Sequence, residues 1–152
     1  MPRCSISMLA LGFAATVLSF GSPAVNWQEI DVYVALEGGL ILYEAKTHRL
    51  LPVLEQDIRA VTGLQPFVKD APVNLIFVAD FARMGDADAE AKQLYSATDT
   101  GYISQNVYLF CASEGLATVV WGWIDRNAMS ETMNLGPDQK IILAQTVGYP
   151  KP

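Results

Sequence analysis

One stretch, from Asp86 to Ile124, limits most strongly what this chain can fold into, because a long helical pattern there stops at a glycine and leads into an apolar strand. Apolar or small residues recur every three or four positions, as on one face of a helix. We call these residues the first helix face: Ala91, Leu94, Tyr95, Thr98, Tyr102, Asn106, Leu109, Ala112 and Leu116. Asp86 or Asp88 can cap the helix start, and Gly115 can adopt the left-handed conformation that ends a helix. The sequence therefore predicts one long central helix.

A second helix face makes the C-terminal half of this helix apolar on nearly all sides. Its members are Ile103, Val107, Phe110 and Cys111. We therefore expect protein to cover that half on every side, and solvent to surround the acidic start. Gly101 lies inside the helix, where glycine costs about 1 kcal/mol relative to alanine, and it predicts a close backbone approach. The surplus apolar surface predicts a homodimer buried mainly through this helix.

Length and composition indicate one globular domain. The chain has 152 residues, of which 51% are hydrophobic and 17% charged, enough to bury a sizeable core. The net charge of −6 comes without a clustered Lys/Arg face, which argues against nucleic acid and anionic lipid as partners. Cys4 and Cys111 form no framework of paired spacings, so we expect no structural disulfide. His48, the single histidine, is expected in an exposed turn rather than at a metal.

The amino-terminal segment, residues 1–24, differs from the rest of the chain. It has one charge, Arg3, then an apolar run from Ile6 to Phe20 and a small-residue end at Ala24. This pattern fits a signal peptide cut after Ala24, and it fits equally a buried core helix from Met8 to Ser19. The run is too short for a stable membrane span. Both a cytoplasmic and an exported protein therefore stay open, with the main domain at residues 25–152.

Five strands and two short helices are predicted around the central helix. Alternating or continuous apolar runs predict strands at Glu29–Leu36, Leu40–Tyr43, Val73–Ala79, Ala117–Ile124 and Lys140–Val147. Gly38 and Gly39 predict an antiparallel hairpin between the first two strands. Short helices are predicted at Asp57–Gly63 and from a cap at Asp125 to Met133. The fold class is α+β, with helices packed on a mixed, mainly antiparallel sheet.

Two short motifs are candidates for ligand binding, whereas the common nucleotide-loop, nucleophile-elbow and zinc-protease motifs are absent from the sequence. Asn26-Trp27-Gln28 places two amides around an indole before a strand, an arrangement that can hydrogen-bond a planar heterocycle. A capped strand start with a core tryptophan is the structural alternative. In Trp121-Gly122-Trp123, a glycine at a strand end lets backbone amides approach a ligand.

In their sequence context, these motifs resemble the nitroreductase family of FMN-dependent oxidoreductases. Residues 22–28, Ser-Pro-Ala-Val-Asn-Trp-Gln, are similar to the family's Pro-Ser-x-x-Asn-x-Gln loop. The remaining matches follow in order along the chain: Asp99-Thr100-Gly101, Gln105-Asn106, Leu109, Gly115-Leu116-Ala117-Thr118, Gly122 and Val147-Gly148-Tyr149-Pro150. The resemblance runs from about residue 22 to the end of the chain.

The resemblance implies an obligate homodimer with two FMN molecules at the subunit interface. NAD(P)H would be the hydride donor, and a nitroaromatic, a quinone or a similar small molecule would be the acceptor. Asn26 and Gln28 would contact the flavin, and the backbone near Gly122 and Trp123 would approach its N5 edge. Beyond the resemblance, Lys151 is a candidate replacement cation for the phosphate, and a disordered tail is the alternative for this residue.

The chain departs from the family pattern at two places. The family's Arg-x-Ser-x-Arg-x-Phe segment, which grips the FMN phosphate, has no counterpart in residues 1–21. Trp121 and Trp123 are also bulky where the family uses small or polar residues. Two further hypotheses therefore stand beside the FMN oxidoreductase: a truncated, non-catalytic nitroreductase-like dimerisation or binding domain, and a small secreted binding domain.

Overall fold

The computed structural model describes residues 27–150, which form a six-stranded sheet with a long and a short α-helix. The elements, in chain order, are β1 (Ile30–Leu36), β2 (Gly39–Glu44), β3 (Arg49–Leu54), β4 (Val73–Asp80), α1 (Ala89–Ser113), β5 (Ala117–Trp121), α2 (Arg126–Met133) and β6 (Gln139–Gly148). Single 3-10 turns lie at Arg59–Val61, Val68–Asp70 and Phe81–Met84. Residues 1–24, with the signal-peptide and core-helix alternatives, lie outside the described residues, as do Asn26 and Lys151.

The sheet has the order β3-β2-β1-β4-β6-β5, and all neighbouring strands within residues 27–150 run antiparallel. The predicted α+β class and mainly antiparallel sheet are therefore confirmed. β4 lies in the interior, and its residues from Asn74 to Ala79 are all buried. This burial explains its nearly continuous apolar sequence, since a strand covered on both faces has no solvated side to make polar.

The β1-β2 hairpin forms at the two predicted glycines. Gly39 has a φ of 136°, and a Cβ there would overlap the carbonyl oxygen of Leu54, so this position needs glycine. β3, which contains Leu54, was not among the predicted strands. It carries Pro52, a residue that sheets accept on an edge strand because it cannot donate a ladder hydrogen bond. The helix predicted at Asp57–Gly63 is only one 3-10 turn long.

Both faces of the sheet are covered. α1 packs on one face through Ile103, Val107 and Cys111, against side chains that alternate along β1 and β4. α2 and the segment between β3 and β4 pack on the other face, around Met129 and Met133. The alternation separates the two layers: Val32, Val34, Leu75 and Phe77 belong to the α1 layer, whereas Tyr33, Ala35, Ile76 and Val78 belong to the α2 layer.

The ends of α1 match the sequence signals. The Asp88 carboxylate accepts a hydrogen bond from the Ala91 amide at 2.8 Å, which confirms the predicted cap. Gly115 has a φ of 67°, and the Leu116 amide donates to the Cys111 carbonyl at 2.8 Å. This is the left-handed glycine stop that the sequence indicates.

The packed face of α1 differs from the first helix face. Leu94, Tyr102 and Leu109 are 62%, 65% and 59% exposed. The buried residues are instead Ser96, Thr100, Ile103, Ser104, Val107 and Cys111. The prediction that protein covers the C-terminal half on every side is therefore wrong for the single chain. Small side chains, rather than the most apolar ones, fill half of the contact because they let the helix lie close to the sheet.

The prediction at Gly101 is also wrong within this chain. A Cβ placed on Gly101 meets no atom within 4 Å, and the residue is exposed. The predicted exposed turn at His48 is confirmed, and a 2.7 Å hydrogen bond joins His48 Nδ1 to the Tyr43 hydroxyl. Cys111 is buried and free, and no group of His, Cys, Asp and Glu within the described residues could hold a metal. No helix between residues 27 and 150 is long and apolar enough to cross a membrane.

Candidate functional site

The predicted ligand loop before β1 is fixed to its surroundings by two contacts. The Gln28 carbonyl accepts a hydrogen bond from Arg83 Nη1 at 2.9 Å, and Gln28 has a φ of 51°, in the left-handed region. The Trp27 ring meets the Tyr95 ring edge-on, with centroids 5.5 Å apart. The Gln28 side chain is exposed. We call Trp27, Gln28 and Glu29 the Gln28 loop: its backbone is held, and its amide side chain is available to a ligand.

Arg83 connects this loop to the sheet. Its guanidinium forms ion pairs with Asp31 at 2.5 Å and with Asp80 at 3.2 Å. Asp80 also caps the 3-10 turn that carries Arg83, by accepting from the Ala82 amide at 3.0 Å. Asp31 is therefore paired with Arg83.

Glu29 is buried, with only 1% of its surface exposed. Loss of solvation raises its pKa above the ordinary value, and the nearby Asp99 carboxyl raises it further, while Arg83 opposes these effects. Three buried oxygens, Glu29 Oε1, Asp99 Oδ2 and Thr100 Oγ1, have no hydrogen-bond partner among the described residues. Glu29 and Asp99 thus bring two carboxyl groups together between the Gln28 loop and α1. The sequence identified Asp99 only as part of a motif, because the fold alone brings it to Glu29.

The second predicted segment, Trp121-Gly122-Trp123, forms a bend after β5. Trp121 is buried, and its Nε1 donates to the Thr62 carbonyl at 3.2 Å. The Trp123 carbonyl accepts from the Leu64 amide at 3.1 Å. The Gly122 carbonyl accepts from the Ile124 amide at 3.0 Å and from Arg126 Nη1 at 3.3 Å. We call residues 121–123 the Gly122 bend: its carbonyls face the protein.

Gly63 makes this bend possible. A Cβ on Gly63 would overlap Trp121 Nε1 and lie 3.2 Å from Trp121 Cδ1, so the buried indole needs a glycine beside it. No local signal in the sequence indicates this role, because it arises only from a close approach between residues that are distant in the chain. Trp123 behaves differently, because 66% of its surface is exposed. Its indole therefore belongs to the surface beside the bend and not to the core.

Buried side-chain hydrogen bonds of Asn74 hold the segment between β3 and β4 against the middle of the sheet. Asn74 is fully buried, and its Nδ2 donates to Thr62 Oγ1 at 3.0 Å and to the Val68 carbonyl at 2.8 Å. Thr146 Oγ1 donates to Asn74 Oδ1 at 2.8 Å. Thr62, the residue that holds Trp121, is thereby tied to β4 and β6. The position of the Gly122 bend is thus set from the centre of the sheet.

The Gln28 loop and the Gly122 bend do not meet within one chain. Gln28 precedes β1 and Gly122 follows β5, and β4 and β6 lie between these strands. Three strand spacings of about 4.8 Å separate the two segments by roughly 14 Å along the sheet alone. The predicted binding residues therefore form two half-sites, and a molecule that used both in one chain would have to span that distance.

The comparison with known proteins agrees with this architecture. The sequence model of the nitroreductase family matches residues 14–149. The chain belongs to the nitroreductase family. A Methanocaldococcus jannaschii protein named as a nitroreductase is 28% identical to this nitroreductase-family chain over 126 residues, which cover 79% of the chain and 64% of that protein. The chain thus spans less than two thirds of the length of this curated relative.

Solved structures support the same assignment. A Ralstonia eutropha JMP134 protein named as a nitroreductase is 36% identical, with a TM-score of 0.87 that covers 100% of this chain and 75% of that one. The NADPH:FMN oxidoreductase of Vibrio harveyi, complexed with NAD+, has a TM-score of 0.69 at 18% identity and covers 100% of this chain and 62% of that one. At this lower identity, the similarity shows the fold alone.

Proposed function

We propose that this nitroreductase-family chain is an FMN-dependent oxidoreductase that passes electrons from NAD(P)H to a nitroaromatic, a quinone or a similar small acceptor. Family membership supports this function, as does the Vibrio harveyi protein of the same fold, whose name gives NADPH and FMN. The observation that carries the proposal is the pair of half-sites, in which the backbone is held while Gln28 and Trp123 stay exposed. When bound, FMN supplies the hydride chemistry, and the protein binds and orients it.

We propose that two copies of the chain form the functional unit. Leu94, Tyr102 and Leu109 lie on one side of α1 and are each about 60% exposed or more. A contiguous set of large apolar side chains on a helix favours burial by a partner. A homodimer through α1 would cover them, as the surplus apolar surface of the helix predicts. It would also let the Gln28 loop of one copy and the Gly122 bend of the other face the same ligand.

The residues present fit a flavin ring in this arrangement. The exposed Gln28 amide can both donate to and accept from a planar heterocycle, and we propose the same for Asn26. The carbonyls of Gly122 and Trp123 are bonded inward, which leaves the exposed edge of the bend to approach the N5 side of the ring. We propose Lys151 as a cation for the phosphate, in place of the arginines that the family uses.

Flavin binding and turnover test the proposal together. The purified chain should bind added FMN, which shifts the visible absorption of the flavin, and should oxidise NAD(P)H when a nitroarene or a quinone is present. Gln28→Ala should weaken FMN binding about tenfold, because it removes hydrogen bonds to the ring. Gln56→Ala, at another exposed glutamine, is the matched control and should bind FMN as the unaltered chain does.

The non-catalytic alternative gives a different result in the same experiment. A dimerisation domain without catalytic function would form a dimer in light scattering without FMN and would show no NAD(P)H oxidation at saturating flavin. A protein that leaves the visible absorption of FMN unchanged at high micromolar concentration would rule out the oxidoreductase.

A further inference from the structure

A separate cleft of about 370 Å³ lies between the N-terminal half of α1 and the start of β6. Its lining residues are Phe81, Gln93, Ser96, Arg126, Lys140, Ile141 and Ile142. This volume falls within the range of small-molecule sites. Neither Gln28 nor Trp123 lines this cleft, so the cleft is distinct from the exposed side chains of the two half-sites.

Arg126 lines this cleft as a positioned cation that pairs with no carboxylate among residues 27–150. Its Nε donates to the Ile141 carbonyl at 3.0 Å, and its Nη2 donates to the Ile142 carbonyl at 2.8 Å. A third N–H, on Nη1, reaches the Gly122 carbonyl. Guanidinium has five N–H groups, so two are not used by any residue that the structure describes. By contrast, Arg59 and Arg83 both form ion pairs with aspartates of the described chain.

Lys140 adds a second cation to the same wall. Its Nζ donates to the Pro137 carbonyl at 2.6 Å, which uses one of its three N–H groups. None of the seven lining residues is acidic, although the chain has 16 Asp and Glu against 10 Lys and Arg. The positive charge of this cleft is therefore a local property that opposes the charge of the whole chain.

We infer that this cleft is a subsite for the phosphate group of a small ligand. Arginine binds phosphate through paired N–H groups and lysine binds it as a point charge, and both are present here with no carboxylate among the described lining residues. The Ser96 side chain and the Gln93 amide add polar groups to the wall, and Phe81, Ile141 and Ile142 form an apolar surface for the rest of the ligand. Because Arg126 also contacts Gly122, a ligand bound here lies next to the Gly122 bend.

Inorganic pyrophosphate is the probe that tests the subsite directly. In a ¹H–¹⁵N NMR titration of the full chain at constant pH and ionic strength, the amides of Gln93 and Ile142 and the Arg126 Nε–H should shift. Lys140→Gln should raise the pyrophosphate dissociation constant about tenfold, because it removes one charge-assisted hydrogen bond. Lys69→Gln removes an exposed lysine of the 3-10 turn at Val68–Asp70, which does not line the cleft, and should leave the constant unchanged.

Arg126→Gln should weaken binding further, although it also removes three hydrogen bonds to the backbone. Lys140→Gln decides the question if the Arg126 variant does not fold, since Lys140 contacts only one carbonyl in the described chain. The inference is overturned if pyrophosphate shifts none of these resonances at 20 mM, or if Lys140→Gln and the unaltered chain bind it equally well.

Two comparisons identify the source of the phosphate: FMN against riboflavin, and NADPH against NADH. Only this step rests on the proposed oxidoreductase function. If the subsite takes the FMN phosphate, Lys140→Gln reduces the preference for FMN over riboflavin. If it takes the additional phosphate of NADPH, the same variant reduces the preference for NADPH over NADH. Failure of flavin binding would remove the proposed function and leave the pyrophosphate result unaffected, which separates the two conclusions.

Discussion

Replacing Gly63 by alanine tests how the Gly122 bend is held. The added Cβ would overlap Trp121 Nε1, and Gly63 does not need a left-handed φ, so the clash with the indole is the main effect of the change. Trp121 cannot move outward freely, because it is buried and its ring meets Phe67 edge-on at 5.8 Å. The indole must therefore shift away from the Thr62 carbonyl, which accepts its N–H.

The expected cost follows from these contacts. Overpacking a filled core costs about 1 to 3 kcal/mol. A strained or lost hydrogen bond to the Thr62 carbonyl adds about 1 kcal/mol. We therefore expect Gly63→Ala to lower the free energy of unfolding by roughly 2 to 4 kcal/mol. The matched control is Gly38→Ala, where a Cβ meets nothing within 4 Å, and we expect a change within about 0.5 kcal/mol there.

Urea unfolding, followed by circular dichroism and tryptophan fluorescence, measures these differences. Trp121→Val removes the ring atoms that the new Cβ would meet, so the double variant completes a thermodynamic cycle. Gly63→Ala should cost much less in the Trp121→Val background than in the unaltered chain. If Gly63→Ala is as stable as the unaltered chain, or costs the same in both backgrounds, the contact with Trp121 does not require glycine at this position.

Three other predictions concern the carboxyl cluster and the exposed face of α1. Because the pKa of Glu29 is raised, the folded state holds a proton that the unfolded state releases, and the contribution of Glu29 to stability is fully present below the ordinary pKa and is lost as the pH rises through the raised pKa. Glu29→Gln should flatten this loss when urea midpoints are measured between pH 4 and 9. Parallel midpoint curves for the variant and the unaltered chain would contradict this prediction. Leu109→Glu should raise the dissociation constant of the proposed dimer at least tenfold in analytical sedimentation, whereas Leu64→Glu, at an exposed leucine on the other side of the sheet, should leave it unchanged. If both variants still form the dimer, the interface lies elsewhere. Gly101→Ala should stabilise the monomer by about 0.5 to 1 kcal/mol in urea unfolding, since a Cβ has open space there, and a loss of stability would show a clash that the single chain does not contain.

Local signals predicted the ends of the elements well. The Asp88 cap and the Gly115 stop depend on residues within one helical turn, and such information lies in a short window of sequence. The apolar run of β4 likewise identified a strand buried on both faces. β3 was missed because its proline and its exposed side chains weaken the alternating pattern. Its place in the sheet comes from the hairpin with β2 rather than from its own sequence.

The packed face of α1 could be predicted only in part from hydrophobicity. Ile103, Val107 and Cys111 of the second helix face pack on the sheet, but the residues of the first helix face also recur at helical spacing, and Leu94, Tyr102 and Leu109 among them are exposed. Ser96, Thr100 and Ser104 are buried because they are small enough for the helix to lie close to the sheet, and size does not appear in a pattern of apolar positions. If a second copy covers the first helix face, the apolar pattern of that face reflects the dimer interface rather than the packing within one chain.

For the candidate site too, local sequence indicated the motifs, whereas the residues that support them are distant in the chain. The two exposed motifs were found from sequence, but the groups that hold them come from far along the chain, as Gly63 does for Trp121 and Asp99 does for Glu29. A connected set of hydrogen bonds extends this dependence through the sheet. Gln145 Nε2 donates to Thr118 Oγ1 at 3.0 Å and to the Ser104 carbonyl at 3.4 Å.

From Thr118, the connection continues to the other face of the sheet. Thr118 Oγ1 donates to the Thr146 carbonyl at 2.6 Å, and the Thr146 hydroxyl donates to Asn74, which holds Thr62 and through it Trp121. A buried polar network of this kind specifies one geometry, because each lost bond leaves a partner unsatisfied away from water. The backbone of α1, where we propose that the second copy docks, is therefore joined to the Gly122 bend by bonds that cannot shift singly without cost. The bend needs this support because Trp121 is the only buried residue of its three, whereas Gly122 and Trp123 are exposed.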